Sequence, residues 1–583
     1  MIRNLILMTS LLCLLITAAT AVIAQRADPR TFVPVTEEIL ANPSSDDWLM
    51  FSRTYDAQRF SPLKQINKEN VSRLQLAFSR EMTTGTQESI PLVYRGVIYV
   101  AHPGAVVQAI DGTNGNLIWE YKRPSGMSRT KGLAVFEDLI FYTAPEGVLV
   151  ALDARNGQVR WEAKIGAAAH TSGPIVADGK VVTGRACART RESCFIAAND
   201  ARTGKEVWKF QTIPAPGEPG AESWGPGGPA ENMMASTWAL MGSYDPARKV
   251  IYWGIANPMP NTRMERHNGD PTAISKTAPA DLYSNSTVAL DPATGKLKWY
   301  YQHLPGDDWD QDYTNERILL RTAVNPDPKF VKWINPDIRK GEQRDITVNV
   351  GEGGGIWALD RNNGQFLWAN PFPYDTPNFL ISDIDVKTGR TTINWDLVMK
   401  KPGDRHTICF WNTKSYWPMS YNPVKNSLYV PFNDNCLDMT SRTPAAGERR
   451  AGAMGPRAAA DPNKFGGIAK INMSTGEIKP FFDGRAPSNG ATLSTAGDLV
   501  FWGDLDRHFY AFDADTGAIL WQTTLEGPIQ NSTITYGVNG KQYVAVLTGF
   551  GALSTGLLRQ AGLQPVSKNG LYVFALPETQ KGN

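Results

Sequence analysis

Histidine and cysteine are scarce in this chain of 583 residues. The six histidines show no metal-ligand spacing. No Cys-x-x-Cys-His motif is present, so the sequence predicts no covalently attached haem. An excess of one charge is also missing, because 59 Lys and Arg oppose 57 Asp and Glu. This balance excludes the strongly basic surface of a nucleic-acid-binding protein and the polybasic patch of a membrane-surface protein.

An apolar run stands at the N-terminus, at residues 5–16, and it is too short to favour a membrane-spanning helix. Arg3 precedes the run, and small residues lead up to Ala24. These are the features of a cleaved signal peptide. We therefore predict a signal peptide at residues 1–24 and a mature chain, 25–583, that is exported to the periplasm without an integral membrane segment. A retained anchor is the alternative.

Four cysteines remain in the predicted mature chain: Cys187, Cys194, Cys409 and Cys436. An even count in an exported protein favours two disulfides. We expect local pairing, Cys187 with Cys194 and Cys409 with Cys436. Buried free thiols are the alternative.

Turn formers and aromatics are plentiful, with 52 Gly, 39 Pro and 17 Trp, which favours an all-β fold with frequent reversals. The pattern Ala-x-Asp-x3-Gly-x3-Trp recurs with constant spacing at 109–119, 151–161, 198–208, 289–299, 358–368 and 511–521. A decayed copy at 469–476 has Asn for Asp and lacks the Trp.

The repeat predicts a strand that ends near the Ala, a turn capped by the Asp side chain, and a Gly with positive φ. The next strand then carries the Trp to a fixed place. One such hairpin cannot bury its apolar face alone, and the spacing of the first copies is close to that of a four-stranded propeller blade. We therefore predict one all-β domain, an eight-bladed β-propeller over 25–583, with the tryptophans packed between blades.

Four insertions interrupt the repeat, at 213–234, 261–280, 371–406 and 436–464. Long loops on a rigid scaffold often have functional roles. We expect these insertions to cover one mouth of the propeller, with plain surface decoration as the alternative.

The stretch from Asp307 to Tyr313 places four carboxylates in six positions. That much negative charge is rarely buried unpaired, and a hard cation with oxygen ligands would neutralise it. A carboxylate beside such a metal can act as a general base. A solvated acidic loop is the alternative.

The repeat together with Trp309-Asp310-x-Asp312 resembles the pyrroloquinoline quinone (PQQ) dependent alcohol dehydrogenases, which are eight-bladed quinoprotein propellers. The resemblance covers essentially the whole predicted mature chain. It looks closest to the sorbose/sorbosone dehydrogenase branch.

The resemblance implies a metal and base group. Asp310 corresponds to the base that takes the proton of the substrate hydroxyl. Asn257 corresponds to a metal ligand, and Asp312 to the extra carboxylate of lanthanide-using members. The implied metal is Ca²⁺ or a lanthanide ion. Asn257 before Pro258 is also a good turn residue.

The resemblance also implies a PQQ site. Glu88 and Lys131 match positions that contact the quinone. Thr237 and Trp238 match a pair that brackets the plane of the PQQ ring, although Trp238 could be a core residue.

Some positions depart from the family. Arg189 stands where relatives have a Glu metal ligand, so either Glu192 replaces that ligand or the metal has one protein ligand fewer. Arg185, Arg189 or Arg191 could instead pair with the PQQ carboxylates. Glu352 stands where relatives have Lys or Arg near the quinone, and Lys414 is expected to supply that positive charge. An Asn-Trp pair of the family becomes Ser415-Tyr416.

The implied activity is oxidation of a primary or secondary alcohol (a polyol, a sugar or a bulkier alcohol) by hydride transfer to PQQ. The metal is the Lewis acid, Asp310 is the base, and a periplasmic cytochrome or similar protein accepts the electrons. A non-catalytic envelope scaffold built on the same repeat is the alternative, and a cofactor-free sugar-binding or hydrolytic propeller is a further one.

Overall fold

The computed structural model describes residues 32–124, 129–167, 169–372, 379–409, 413–442, 452–458 and 461–578. From Val35 onward the chain forms one compact unit. The predicted signal peptide lies outside the described residues and stays a prediction. Among the residues described, no helix is long and apolar enough to cross a membrane.

Strands dominate the described residues, and the helices are short. The α-helices are α1 (Glu37–Ala41), α2 (Arg263–Arg266) and α3 (Ser554–Gln560). The strands of the N-terminal half are β1 (Phe60–Ser61), β2 (Gln75–Glu81), β3 (Leu92–Tyr94), β4 (Val97–His102), β5 (Val106–Asp111), β6 (Leu117–Lys122), β7 (Ala134–Phe136), β8 (Leu139–Ala144), β9 (Val148–Asp153), β10 (Val159–Lys164), β11 (Pro174–Ala177), β12 (Lys180–Thr183), β13 (Phe195–Asp200), β14 (Glu206–Gln211), β15 (Ser243–Asp245), β16 (Val250–Gly254), β17 (Ser286–Leu290) and β18 (Leu297–Gln302).

The C-terminal half continues in the same way. Its strands are β19 (Ile318–Val324), β20 (Trp333–Ile334), β21 (Glu342–Gly351), β22 (Gly354–Asp360), β23 (Phe366–Asn370), β24 (Ile381–Ile384), β25 (Thr391–Ile393), β26 (Arg405–Ile408), β27 (Ser420–Asn422), β28 (Ser427–Asn433), β29 (Asn435–Ser441), β30 (Gly452–Ala458), β31 (Gly466–Asn472), β32 (Ile478–Gly484), β33 (Leu493–Thr495), β34 (Leu499–Gly503), β35 (His508–Asp513), β36 (Ile519–Thr524), β37 (Ile534–Val538), β38 (Lys541–Thr548) and β39 (Gly570–Ala575).

Eight sheets of four or five strands account for most of these strands within the described part of the chain. In chain order they are sheet 1 (β3–β6), sheet 2 (β7–β10), sheet 3 (β11–β14), sheet 4 (β15–β18), sheet 5 (β19, β21, β22, β23, β20), sheet 6 (β27, β28, β31, β32), sheet 7 (β1, β33–β36) and sheet 8 (β37, β38, β39, β2). Two smaller sheets, β24–β25 and β26–β29–β30, lie in the insertions.

Sheet 8 joins the two ends of the folded unit. Its outer strand β2 comes from the N-terminal region and pairs antiparallel with β39, the last strand of the chain. Sheet 7 is extended in a similar way, because β1 pairs parallel with β33. These pairings leave fewer free strand edges, as expected for a closed propeller.

The repeat tryptophans join each sheet to the next. The Trp119 indole N–H donates to the Ala154 carbonyl at 2.9 Å, and its ring lies against Gly157 of sheet 2. The same kind of contact recurs around the molecule: Trp161 to Gly204, Trp208 to Gly295, Trp299 to Gly364, Trp368 to Gly476, Phe481 to Gly517, Trp521 to the Leu74 carbonyl, and Phe78 to Gly115. The contacts join the eight large sheets in a ring, and the predicted all-β propeller with docking tryptophans is confirmed.

The turn chemistry of the repeat is also confirmed. In the first copy, Asp111 Oδ1 accepts the Thr113 N–H at 2.8 Å, and Gly115 has a φ of +78°. The Gly115 N–H donates to the Asp111 carbonyl at 2.9 Å. The Asp therefore fixes the turn, while the Gly supplies both the conformation and the space that the neighbouring ring needs.

Both predicted disulfides are present, Cys187–Cys194 and Cys409–Cys436. The local pairing is confirmed, and the alternative of free thiols is wrong. Cys187–Cys194 closes a short loop after β12, and Cys409–Cys436 joins the insertion before β27 to the start of β29.

The described parts of the four insertions begin and end on one face of the ring. Each insertion connects either the last strand of one sheet to the next sheet, or the second and third strands of one sheet. In antiparallel four-stranded sheets these two kinds of connection meet at the same edge. The acidic stretch, which precedes β19, belongs to the same face. The insertions therefore start from the face of the ring at which the sequence predicts a covered mouth.

Replacing Gly157 by Ala tests the docking contact. A Cβ there would lie 2.5 Å from Trp119 Cε3, and the residue has a φ of +73°. We expect the free energy of unfolding to fall by about 3 kcal/mol, from backbone strain and overpacking together. Urea denaturation would measure the change.

Gly540→Ala is the matched control. Gly540 has a φ of +76°, but a Cβ there meets nothing within 4 Å. We expect a loss of about 1 kcal/mol from backbone strain alone. Equal losses in the two variants would contradict a steric role of the docking contact.

Candidate active site

Asp307 in the acidic stretch is a structural carboxylate. It is fully buried. Its Oδ1 accepts the Trp309 N–H at 2.5 Å, and its Oδ2 accepts the Gln311 N–H and the Asn285 side-chain amide, each at 2.9 Å. Burial raises the pKa of Asp307 to about 7, against the effect of these donors. The side chain therefore binds the backbone two and four residues later, and its burial keeps it out of reach of a substrate.

Asp308 is structural as well. Its two oxygens accept the backbone N–H groups of Arg263 at 2.5 Å and Met399 at 2.7 Å. Both donors belong to insertions, so this carboxylate ties two insertions to the acidic stretch. Burial raises the pKa of Asp308 above its usual range.

Helix α2 in the 261–280 insertion holds the same stretch from outside. A capping box between Thr262 and Glu265 starts the helix. The Arg263 guanidinium donates to the Gly306 carbonyl at 2.8 Å, and that of Arg266 donates to the Asp307 carbonyl at 2.9 Å. These bonds fix the path of the chain that leads to Asp310.

Asp310 is the one aspartate of the stretch with a partly exposed side chain, as far as the described residues show. Its backbone is left-handed, with a φ of +62°, a conformation that Asp tolerates better than most residues. Asp310 Oδ1 accepts the Asn257 amide at 3.1 Å. Strained backbone often occurs at functional sites.

Asp312 lies beside the same asparagine. Its Oδ1 accepts the Asn257 backbone N–H at 2.9 Å, and its Oδ2 accepts the Trp238 indole N–H. The structure thus brings together the three predicted metal-site residues and Trp238. Asn257 lies in the β16–β17 connection and Asp312 before β19, so two neighbouring sheets build this group.

Glu88 and Lys131 form a buried ion pair next to Trp238. Lys131 Nζ lies 3.0 Å from Glu88 Oε2, and both side chains are 1% exposed. The ammonium also lies 5.0 Å from the Trp238 ring centre and 4.7 Å from that of Tyr416. Burial lowers the pKa of Lys131, although Glu88 opposes the shift. Burial alone would raise the pKa of Glu88, but Lys131 and the hydrogen bonds from its neighbours hold it below the usual value.

Thr237 supports this group from below. Its hydroxyl accepts the Arg185 backbone N–H at 2.7 Å, and its own N–H donates to the Arg185 carbonyl at 2.9 Å. The metal-site group therefore contacts Trp238 directly, and Thr237 is the residue before it. Lys131 lies against the Trp238 ring, and Glu88 pairs with Lys131.

Lys414 is already paired. Its ammonium forms a fully buried ion pair with Glu316, whose other carboxylate oxygen accepts the Met419 N–H at 2.7 Å. No feature of the sequence pointed to Glu316 as the partner of Lys414. The neighbouring Ser415 hydroxyl donates to Glu352 Oε1, and Glu352 Oε2 accepts the Asp312 N–H at 3.2 Å. Burial and the nearby Asp312 raise the pKa of Glu352 well above its usual range.

Arg189 does not join the group. It is exposed on the loop closed by Cys187–Cys194 and has a φ of +70°. Glu192, considered as a replacement metal ligand, is 71% exposed and pairs with Arg191 at 3.1 Å. Neither side chain faces the Asn257–Asp310–Asp312 group through a described contact.

The residues present fit a hard cation. Within the described ranges, no three His, Cys, Asp or Glu side chains gather closely enough to hold a metal. The candidate group instead offers two carboxylates and one amide, all with oxygen donors, which suits Ca²⁺ or a lanthanide if a cofactor supplies further oxygens.

The residues also fit PQQ, a flat polyanion. Trp238 provides an aromatic surface, and Lys131 provides a positive charge beside it. Both polar atoms of the Gln87 amide are buried without a hydrogen-bond partner among the described residues, next to Glu88. Such atoms can serve a polar ligand.

Comparison with known proteins identifies the family. Residues 48–369 and 462–544 match the PQQ glucose/ethanol/alcohol dehydrogenase β-propeller domain. This chain belongs to the PQQ-dependent alcohol dehydrogenase family. The quinohemoprotein alcohol dehydrogenase ADH-IIG of Pseudomonas putida is 30% identical, over 91% of this chain and 76% of the relative.

Two further relatives support the same family. The quinoprotein ethanol dehydrogenase of Pseudomonas putida is 28% identical, over 93% of both chains. A europium-containing methanol dehydrogenase superposes with a TM-score of 0.79 at 27% identity, over 92% of this chain and 99% of that one. The expected enzyme class and the expected cofactor set, PQQ with Ca²⁺ or a lanthanide, are confirmed at the level of the family.

Asp307→Ala and Asp310→Ala separate the structural from the candidate catalytic carboxylate. Loss of the Asp307 side chain leaves three buried donors unpaired, so we expect the free energy of unfolding to fall by about 3 kcal/mol. Asp310→Ala should cost less than about 1 kcal/mol. Urea denaturation of the metal-free proteins would measure both, and a reversed order would contradict these roles.

Proposed function

We propose that this chain is a periplasmic PQQ-dependent dehydrogenase that oxidises a primary or secondary alcohol to the aldehyde or ketone, with Asp310 as the base. The observation that carries the proposal is the position of Asp310. Its partly exposed carboxylate lies 3.1 Å from the Asn257 amide, beside Asp312 and the Trp238–Lys131–Glu88 group. Four sheets thus present a base, a hard-cation site and an anion-binding aromatic surface at one mouth.

Each residue has a separate task in this proposal. Asn257, Asp310 and Asp312 would hold the metal, and Lys131 and Trp238 would orient PQQ. When bound, PQQ would supply the hydride acceptor and the metal a Lewis acid. Asp310 takes the proton of the substrate hydroxyl, so that the alcohol loses two electrons and two protons overall. The electron acceptor would be a periplasmic cytochrome or a similar protein.

The proposed substrate is a primary or secondary alcohol of the predicted classes, namely a polyol, a sugar or a bulkier alcohol. A non-catalytic scaffold is the rival proposal. Burying Lys131 with Glu88 and assembling Asp310, Asp312 and Asn257 brings considerable desolvation cost and no evident benefit to a scaffold. The charges therefore favour the enzyme.

Asp310→Ala tests the base. In protein loaded with PQQ and Ca²⁺ or La³⁺, we expect dye-linked alcohol oxidation to fall about a thousandfold, because a general base typically contributes 10²–10⁴-fold. Asp396→Ala removes an exposed carboxylate outside the group and should leave the rate unchanged. An active Asp310→Ala enzyme would remove this residue from the role of base. A wild type that neither binds PQQ nor oxidises any alcohol would favour the scaffold.

Asp312→Asn tests the metal. Loss of one negative charge should weaken binding of a trivalent lanthanide more than that of Ca²⁺, because the attraction scales with the ion's charge. We expect the ratio of the La³⁺ to the Ca²⁺ dissociation constant to rise about tenfold, measured by titration of the PQQ-loaded protein. An unchanged ratio would show that Asp312 is only a loop carboxylate that orients Trp238.

A further inference from the structure

Three consecutive side chains before β27 contact buried charged residues. Lys414 pairs with Glu316, and the Ser415 hydroxyl donates to Glu352. The Tyr416 ring lies against Lys131, the partner of Glu88. Glu316 and Glu352 flank strands of sheet 5 and Lys131 lies between sheets 1 and 2, so one tripeptide contacts charges from distant parts of the ring.

Tyr416 lies beside the candidate PQQ residues Lys131 and Trp238. Its side chain is fully buried. Its ring centre lies 4.7 Å from Lys131 Nζ and 5.5 Å from the Trp238 ring, in an edge-to-face arrangement. The Lys131 ammonium is thus flanked by two aromatic rings.

The Tyr416 hydroxyl also binds the connection between β38 and β39. We name residues 549–560 of this connection, which include α3, the cap segment. The Leu553 N–H donates to the Tyr416 oxygen at 3.4 Å, and the Gln530 side-chain amide donates to it at 3.1 Å. The Ala552 N–H donates to Glu88 Oε1 at 2.7 Å.

The cap segment is fixed at several further points on the same face. The Ser554 hydroxyl donates to Gln530 Oε1 at 2.6 Å, and the Gln87 N–H donates to the Phe550 carbonyl at 2.7 Å. Leu557 of α3 is buried in a cluster that includes Trp417, the residue after Tyr416. The cap segment is therefore held to the site both by the Tyr416 phenol and, through the Ala552 N–H, by Glu88.

We propose that Tyr416 is a positioning residue that packs against Lys131 and ties the cap segment over the bound cofactor. This inference rests on the proposed PQQ site. The ring flanks the Lys131 ammonium, and the phenol oxygen accepts the Leu553 and Gln530 N–H groups, so one side chain couples the site's charge pair to the cap segment. Tyr416 thereby sets how long the polyanionic quinone stays bound.

Tyr416→Phe keeps both ring contacts and removes only the hydroxyl. The Leu553 and Gln530 N–H groups then lose their acceptor. Leaving two buried N–H groups without an acceptor corresponds to about a tenfold change in an equilibrium constant. We expect PQQ to bind about tenfold more weakly in the presence of Ca²⁺, chiefly through faster dissociation.

PQQ binding is measured by quenching of tryptophan fluorescence. PQQ dissociation is measured by recovery of that fluorescence after the loaded protein is diluted. Tyr421→Phe is the matched control. Tyr421 is a buried tyrosine of β27 whose hydroxyl donates to Asn426 Oδ1 at 2.9 Å, away from the site. The Tyr421→Phe variant should lose a similar free energy of unfolding. It should keep the wild-type affinity for PQQ and the wild-type rate of PQQ dissociation.

Each outcome decides the inference. Faster dissociation in Tyr416→Phe alone supports it. Equal PQQ affinity and dissociation in the two variants would overturn it while leaving the proposed function intact. A wild type without measurable PQQ binding would overturn the proposed function and the inference together.

A second variant serves if Tyr416→Phe does not fold. Ala552→Pro removes the N–H that donates to Glu88, at an exposed position of the cap segment, and it also restricts the backbone at 551 and 552. Ala552→Ser retains that N–H and is its control. Faster PQQ dissociation in Ala552→Pro alone would support the cap segment's role, and equal rates would overturn it.

Discussion

The contact between an aromatic ring and the glycine of the next sheet is the interaction on which this structure depends. Each large sheet offers an indole or phenyl ring to the following sheet, which meets it with a glycine in seven of the eight contacts and with the Leu74 carbonyl in the eighth. A single hairpin of this kind cannot bury its apolar face, so stability comes from repeating the contact until the ring closes. Closure through β2 and β39 also brings loops that are distant in sequence to one mouth.

Ring closure makes it possible to bury the charges of the candidate site. Glu88, Glu316 and Glu352 would each cost several kcal/mol if buried alone. Glu316 instead meets Lys414, Glu352 meets the Ser415 hydroxyl, and Glu88 meets Lys131 and the Ala552 N–H. Asp307 and Asp308 are satisfied by backbone N–H groups. Asp310 differs from these residues, because its side chain is partly exposed and its backbone is held in a strained conformation.

The sequence predicts the fold well because the repeat is local. Asp111, Gly115 and Trp119 define a complete hairpin within eleven residues, and their constant spacing leads directly to stacked sheets. The disulfides follow from a count of four cysteines in a chain expected to be exported. The Asn257–Asp310–Asp312 group was also predictable, although only through resemblance to a family, since Asn257 and Asp310 are 53 positions apart.

The partners of the buried charges could not be predicted in the same way. Lys414 was expected to supply a charge to the quinone, but it pairs with Glu316, 98 positions earlier in the chain. Such a pair depends on which loops the closed ring brings together, and no local pattern specifies that. The same reasoning applies to Arg189 and Glu352. Where a residue has the opposite charge to the one expected from the family, its partner need not be a neighbour in sequence. The partner depends on which side chains the loops at this mouth bring into contact. Glu352 accepts hydrogen bonds from the Ser415 hydroxyl and from the Asp312 backbone N–H. A third carboxyl group therefore lies beside the candidate metal site, although its own loop supplies no adjacent cation.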